Sequence, residues 1–288
     1  MKSYTLQYIS KINLHGFCGD TTLSWDVESG VNVLSGGNGS GKSTLIHALS
    51  MLFCPNREYK YITKPFKGVA VECIDGTKIG YDEISFDNKF NRVEYSNIDV
   101  ITTFDTPLKI SEAVQQLSNK RVVTELDWEL YKVLDRYMKY QLSVGKLAIE
   151  LLMSGKDKSE VEALIDGKNR FFDIIDSLFI DSGKSVERES DELTFNVKNR
   201  VINPYQLSSG EKQLIIILTT VLTQNCRPSI LIMDEPEISL HHVWQRDLLK
   251  NVMELNPKLQ LITTTHSPAL IMDGWMDRVT DISEISSD

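Results

Sequence analysis

Cysteine is scarce in this sequence. The four that occur, Cys18, Cys54, Cys73 and Cys226, show neither a C-x-x-C spacing nor the density of a disulfide framework, which points to thiols kept in a reducing cytoplasm. Long apolar runs are also missing. The longest, Leu214 to Leu222, is interrupted by Thr219 and Thr220 and is too short to cross a bilayer, so it reads as a buried helix. The opening MKSYTLQYISK has no apolar stretch of the kind a secretion signal needs, and a cytoplasmic location with no membrane partner is expected. Positive charge is in deficit: the formal net charge is −9, so nucleic acid is not attracted by the overall field and would need a local basic patch.

What is present is the mix of an ordinary folded protein, with 41% hydrophobic and 25% charged residues. A chain of 288 residues suggests about two domains, or one with a large insertion. Its chemistry begins at VNVLSGGNGSGKST, Val31 to Thr44. A β-branched apolar run ends in a glycine-rich loop, which opens onto the helical pattern Leu45, Ile46, Ala48, Leu49, Leu52. Strand, loop and helix are the context that G-x-x-x-x-G-K-[ST] requires. Gly36, Gly37, Asn38, Gly39, Ser40 and Gly41 would turn successive backbone N–H groups inward around a triphosphate, at a helix N-terminus whose partial charge is positive. Lys42 would reach the β- and γ-phosphates, and the Ser43 hydroxyl, with Thr44 beside it, would ligate Mg2+.

Before the loop, Leu6 to Phe17 and Thr21 to Trp25 read as strands. After the first helix, Arg57 to Lys67 (REYKYITKPFK) interleaves basic and aromatic residues. Such a stretch can grip a nucleic-acid strand, or it can be a solvated loop with snorkelling lysines. Strands then follow at Val69 to Ile74, Lys78 to Phe86, Arg92 to Tyr95 and Val100 to Phe104.

From about Ser111 to Ile180 the period becomes helical. Leu126, Leu130, Val133, Tyr137, Tyr140, Val144, Leu147 and Leu151 form an alternating three- and four-residue stripe behind a Thr124 cap with Asp127 in the first turn. Ser154 to Lys158 breaks the helix, and Ser159 with Glu162 starts a second one. The pair reads as an antiparallel hairpin with a stripe roughly 40 Å long, either packed on its own lobe or serving as an arm for dimerisation or partner docking.

Chemistry returns at LSSGEKQ. Ser208, Ser209 and Gly210 sit where a helix begins, either as a second anion-binding point or as an ordinary serine cap. The strand Ile230 to Met233 ends in two carboxylates. Asp234 can hold Mg2+ through its water shell, and Glu235 can orient or deprotonate the attacking water. A further strand, Gln260 to Thr264, delivers His266 at its C-terminal edge, the crevice where open α/β sheets bind ligands.

In that order, Gly36 to Ser43 as Walker A, LSSGE as signature, IMDE as Walker B, ISLH as D-loop and TTHS as switch histidine, the sequence resembles the ABC-type ATPases. MDEPEISLH and THSPALI resemble the RecF/OLD/SMC-like branch, and especially the compact AAA-type (PtuA-like) ATPases of bacterial anti-phage Septu and retron loci. The resemblance implies an α/β ABC-type P-loop NTPase domain with an inserted antiparallel helical hairpin. Residues 1–110 would hold Walker A, 111–185 the arm, and 186–288 the signature, Walker B, D-loop and switch histidine. It implies ATP and Mg2+ as ligands, with Lys42, Glu235 and His266 catalytic. It implies a homodimer in which Ser208, Ser209 and Gly210 of one copy contact the γ-phosphate held by the other. DGWMDRVTDISEI resembles the usual C-terminus of that group, so no OLD-style nuclease domain is expected to follow. There is no secure Q-loop glutamine; Asp105 occupies the place and becomes a candidate metal ligand. With no H-N-H pattern, zinc cluster or second carboxylate constellation, the expected role is a switch acting on a partner effector such as a nuclease. A RecF/SMC-like repair ATPase binding nucleic acid directly, or the motor subunit of a transporter, are the alternatives.

Overall fold

The computed structural model describes residues 4–17, 19–54, 66–82, 95–102, 122–155 and 158–287. Contacts divide the chain into two compact units, one of Met1–Thr103, Arg227–Ile238 and Lys258–Asp288, the other of Phe104–Cys226 and Ser239–Pro257. Residues 186–226 and 239–257 therefore cluster with the helical segment, although the sequence reading groups them with the C-terminal part of the ATPase lobe.

The first unit contains β1 (Ile9–Phe17), β2 (Thr21–Asp26), β3 (Val31–Ser35), α1 (Lys42–Phe53), β4 (Gly68–Cys73), β5 (Lys78–Asp82) and β6 (Ile98–Ile101). Ile12, Leu14, Leu23, Trp25, Val69 and Val71 line one face of an antiparallel sheet and are buried, while alternate residues point outward. Together with Leu45, Ile46, Leu49 and Leu52 of α1 they form one apolar core, which also takes in Leu34, Ile230, Ile232 and Ile262 from a second, parallel sheet.

The second unit begins its described part with α2 (Glu125–Met153) and α3 (Lys158–Phe179), followed by a small antiparallel sheet, β7 (Lys184–Val186), β8 (Phe195–Val197) and β9 (Arg200–Ile202), and then α4 (Ser209–Thr223). The chain returns to the first unit for β10 (Ser229–Met233), contributes α5 (His242–Leu255) to the second, and ends in the first with β11 (Leu259–Thr264), β12 (Val279–Asp281) and β13 (Ser286–Ser287).

Strand order in the parallel sheet is β12-β3-β11-β10-β6. Every residue of β10 and β11 is buried, as expected of central parallel strands covered on both faces. Because β3, β11 and β10 are neighbours and parallel, their C-terminal ends lie side by side. The antiparallel sheet runs β13-β2-β1-β4-β5. Gln260 ties the two sheets: its amide accepts from Ile9 N–H at 2.8 Å and donates to the Ile9 carbonyl at 2.7 Å and the Glu28 carbonyl at 2.9 Å.

In the second unit the Thr124 cap forms as expected, with Asp127 closing a capping box. Leu130, Val133, Tyr137, Tyr140 and Leu151 of the predicted stripe are buried, while between them Leu147 is exposed and Val144 half-buried. Along this distal part of the helix both the stripe and the opposite face are open, where Met138, Leu142, Ile149 and Leu152 are exposed as well. The Ser159 side chain expected to cap α3, the Arg92–Tyr95 strand except Tyr95, and most of the Arg57 to Lys67 stretch lie outside the described residues; Glu162 is exposed, and Lys67 pairs with Asp20 at 2.6 Å. Among the described residues, no helix is long and apolar enough to cross a membrane.

Candidate functional site

The loop between β3 and α1 is shaped by glycines where nothing else fits. Gly41 has φ +102°, and a Cβ there would lie 1.9 Å from the Phe17 ring. Gly36 has φ +152°, and a Cβ would meet Ile282 Cγ2 at 2.6 Å. The loop thus curls close against β1 and the segment after β12, with Gly37, Asn38 and Gly39 exposed at its mouth. Helix α1 starts directly at Lys42, and the side chain of Lys42 folds back over the loop. Its Nζ donates to the carbonyls of Gly36 and Gly37 at 3.1 Å each and lies 2.7 Å from His266 Nε2. Burial pulls the Lys42 ammonium below its ordinary pKa, against the opposing pull of Glu235, Asp234, Glu237 and Asp281.

The ends of the neighbouring strands bring the acids and the histidine to the same place. Asp234 follows β10, and its Oδ1 accepts from Ser43 Oγ at 3.2 Å and from Thr264 Oγ1 at 2.7 Å. Glu235 adopts φ +43°, a left-handed backbone that a non-glycine residue visits at a cost of order 1–3 kcal/mol. That turn aims its carboxylate at the histidine: Glu235 Oε1 is 2.9 Å from His266 Nε2. One ring nitrogen thus meets a cation and a carboxylate. With the proton on Nδ1, Nε2 accepts from Lys42; with the proton on Nε2, it donates to Glu235.

A magnesium triphosphate fits what is there. The curled loop has the geometry of an anion cradle at a helix start, Lys42 carries the cation, and the Ser43 hydroxyl sits beside the Asp234 carboxylate as a hard-oxygen pair suited to Mg2+. Among the described residues no cluster of three or more His, Cys, Asp or Glu could hold a metal by itself, so a cation here would rely on water and phosphate for its remaining ligands. Asp105, the candidate Q-loop ligand, lies outside the described residues.

Sequence reasoning missed three contributors. Thr264 closes β11, Thr265 follows it, and Glu237 sits two residues past Glu235. The repeated threonines and the second acid of DEPE were visible in the sequence, but their partners belong to a different loop.

Ser208, Ser209 and Gly210 belong to the second unit, where they begin α4. Ser208 Oγ accepts from Glu211 N–H at 3.4 Å while Glu211 Oε2 accepts from Ser208 N–H at 2.9 Å, so the serine does cap its own helix. Ser208 and Ser209 are exposed and Gly210 is buried. A Cβ on Gly210 would come within 2.4 Å of the Ser239 carbonyl, which makes glycine obligatory beside the ISLH segment. Glu211 is held below its ordinary pKa: burial would raise it, but hydrogen bonds from Lys184 and Ser208 outweigh that.

Residues 78–273 match the family described as "AAA domain, putative AbiEii toxin, Type IV TA system", and residues 6–62 match "P-loop containing region of AAA domain". The chain is 24% identical over 298 residues to the Septu protein PtuA of Bacillus mycoides, covering 94% of this chain and 40% of the relative. It is 26% identical over 177 residues to the Retron Vc95 probable ATPase of Vibrio cholerae, covering 50% of this chain and 34% of the relative. The chain therefore spans less than half the length of either relative. Among solved structures, a Smc head domain with an extended coiled coil, bound to the C-terminal domain of ScpA and derived from Pyrococcus furiosus, superposes with a TM-score of 0.51 at 16% identity. That superposition covers 92% of this chain and 91% of the other, and it shows a shared fold.

Proposed function

Given that the chain belongs to the family described as AAA domain, putative AbiEii toxin, Type IV TA system, and carries an ABC-type P-loop ATPase fold, we propose that it is an ATP-hydrolysing switch of bacterial anti-phage defence. In this reading ATP closes a homodimer, and the α2–α3 arm passes the change to a partner effector, a nuclease in the simplest case. One observation carries the ATPase part: Lys42, Glu235 and His266 meet at a single ring nitrogen beside the Ser43–Asp234 pair.

Each residue then has a task. The loop from Gly36 to Gly41 cradles the phosphates, and Lys42 exchanges its carbonyl partners for the β- and γ-phosphate oxygens. Ser43 and Asp234 hold Mg2+, which draws negative charge from the phosphoryl oxygens. Glu235 takes the proton of the attacking water, and His266 holds the position of the γ-phosphate. Ser208 and Gly210 of a second copy complete the phosphate contacts. The exposed apolar residues of distal α2 support the partner-docking role of the arm.

Glu235→Gln should retain ATP binding while phosphate release falls about 100-fold or more, the size of a general-base contribution. Lys42→Ala should abolish both. With Mg2+ and ATP, the Glu235→Gln protein should sediment as a dimer and return to a monomer without nucleotide. Normal turnover in Glu235→Gln would remove the base from the scheme, and a mass unaffected by nucleotide would remove the switch.

A further inference from the structure

Glu237 lies just past the strained turn at Glu235 and is 6% exposed, yet it is a carboxylate. Its Oε1 collects donors from one short stretch beyond β11: the Thr265 hydroxyl at 2.5 Å, the His266 N–H at 3.0 Å and the Ser267 N–H at 3.3 Å. Thr265 Oγ1 in turn accepts from Ser267 N–H at 2.9 Å, which tightens the same turn. A second tie runs alongside, where Thr264 Oγ1 accepts from Glu235 N–H at 3.1 Å and donates to Asp234 Oδ1 at 2.7 Å.

These bonds are not needed to pair the strands. The β10–β11 ladder already runs from Ser229–Leu259 to Met233–Thr263, and the Glu237 bonds to Thr265, His266 and Ser267 lie beyond its end. An unstrained chain would let the loop bearing Glu235 and the loop bearing His266 move independently. Burying a carboxylate is costly, and here the donors converge on Oε1 while burial still pushes the Glu237 carboxyl above its ordinary pKa.

We infer that Glu237 is a positioning residue: by accepting the backbone N–H groups of His266 and Ser267 it fixes the switch histidine at hydrogen-bonding distance from Glu235. The inference rests on the ATPase reading of the site and deepens it. Glu237 touches neither nucleotide nor attacking water; it acts through His266. Its worth comes from the acceptor oxygen rather than from the charge, because the donors it holds are neutral.

The test compares Glu237→Ala, Glu237→Gln and Thr265→Val in the full chain by steady-state ATP hydrolysis, ATP binding and the amide NMR signals of His266 and Ser267. Glu237→Ala should lower kcat about 100-fold, the penalty for a misplaced catalytic group, with KM and ATP affinity unchanged. Its His266 and Ser267 amide signals should move upfield as they lose the carboxylate. Glu237→Gln, whose amide oxygen accepts the same N–H groups, should restore most of the rate. Should Glu237→Ala fail to fold, Thr265→Val removes a single donor and should lower kcat about tenfold at constant KM, the loss of one hydrogen bond. Wild-type turnover in both Glu237→Ala and Thr265→Val, unmoved amide signals, or a Glu237→Gln protein as impaired as Glu237→Ala would overturn the inference. If the unaltered protein hydrolyses no ATP, the ATPase reading falls instead, and the amide signals alone decide whether the clamp exists.

Discussion

Lys212 Nζ lies 2.8 Å from Asp127 Oδ1, joining the first turn of α4 to the first turn of α2 by an ion pair whose side chains are only 15% and 7% exposed. Asp127 does double service, since its other oxygen accepts from the N–H groups of Val123 and Thr124 at 3.2 and 3.1 Å. Glu211 repeats the arrangement. It closes the Ser208 capping box and pairs with Lys184 at 2.8 Å. Each acid therefore caps one helix and neutralises a lysine from another element, and the start of α4 is anchored at the base of the arm.

Lys212→Met should strand the Asp127 carboxylate in a poorly solvated site and destabilise the protein by about 3 kcal/mol, the usual penalty for removing one partner of a shielded pair. Adding Asp127→Asn should recover part of that loss. Urea unfolding of the two single variants and the double variant, treated as a cycle, measures the coupling. Additive losses would mean the pair contributes nothing beyond its separate hydrogen bonds.

Acid should loosen the same region. For Asp127, burial would raise the pKa, but the hydrogen bonds from Lys212, Thr124 and Val123 bring it below the ordinary value, and Glu211 is lowered likewise. A folded pKa below the unfolded one means that the stabilisation is complete above the ordinary carboxylate range of about 4 and is lost as pH falls through the depressed values. Urea midpoints followed downward from neutral pH should drop more steeply in the wild type than in a Lys184→Met, Lys212→Met protein. Parallel curves would contradict the assignment.

Gly41→Ala combines a left-handed backbone with a collision against Phe17. The two penalties together should cost on the order of 3 kcal/mol. Fluorescent ATP-analogue binding should be lost with it, because relieving the clash moves the loop. Gly39→Ala meets no neighbour within 4 Å, so its effect should be confined to the backbone penalty. Thermal melts and analogue titrations of both variants separate the two causes.

Ser43→Ala removes the hydroxyl beside Asp234. Affinity for ATP with Mg2+ should fall about tenfold, the worth of one ligand of this kind, while binding measured in EDTA should stay at the wild-type level. An equal loss under both conditions would assign Ser43 to the phosphates alone.

Leu142→Ser and Ile149→Ser replace exposed residues of α2 and should change folding stability by no more than about 0.5 kcal/mol. Calorimetry checks this, and it qualifies the same variants as probes of the partner docking proposed for the arm.

Much of the first unit could be read from the chain itself. A glycine-rich loop between an apolar run and a helical period admits few other structures, and the fully buried β10 was legible because a central parallel strand favours a near-continuous apolar run. The a/d stripe of α2 was legible for its first half only. Periodicity records which face of a helix is apolar, and it is silent on how far along that helix a neighbour will be found, so it left open whether Val144 and Leu147 are covered; Val144 is half-buried and Leu147 exposed.

Local patterning, then, determined on its own the phosphate loop, the paired acids after β10, the histidine after β11 and the caps of α2 and α4, because each depends on residues close together in the chain. Only tertiary structure decided that Lys42 meets His266, that Phe17 and Ile282 leave room for nothing but glycine at Gly41 and Gly36, and that Glu237 accepts from the loop carrying His266. Those relationships join residues far apart in the chain, on different elements and loops. They arise when parallel pairing brings strand ends together, and no spacing along the sequence encodes where two such ends will touch.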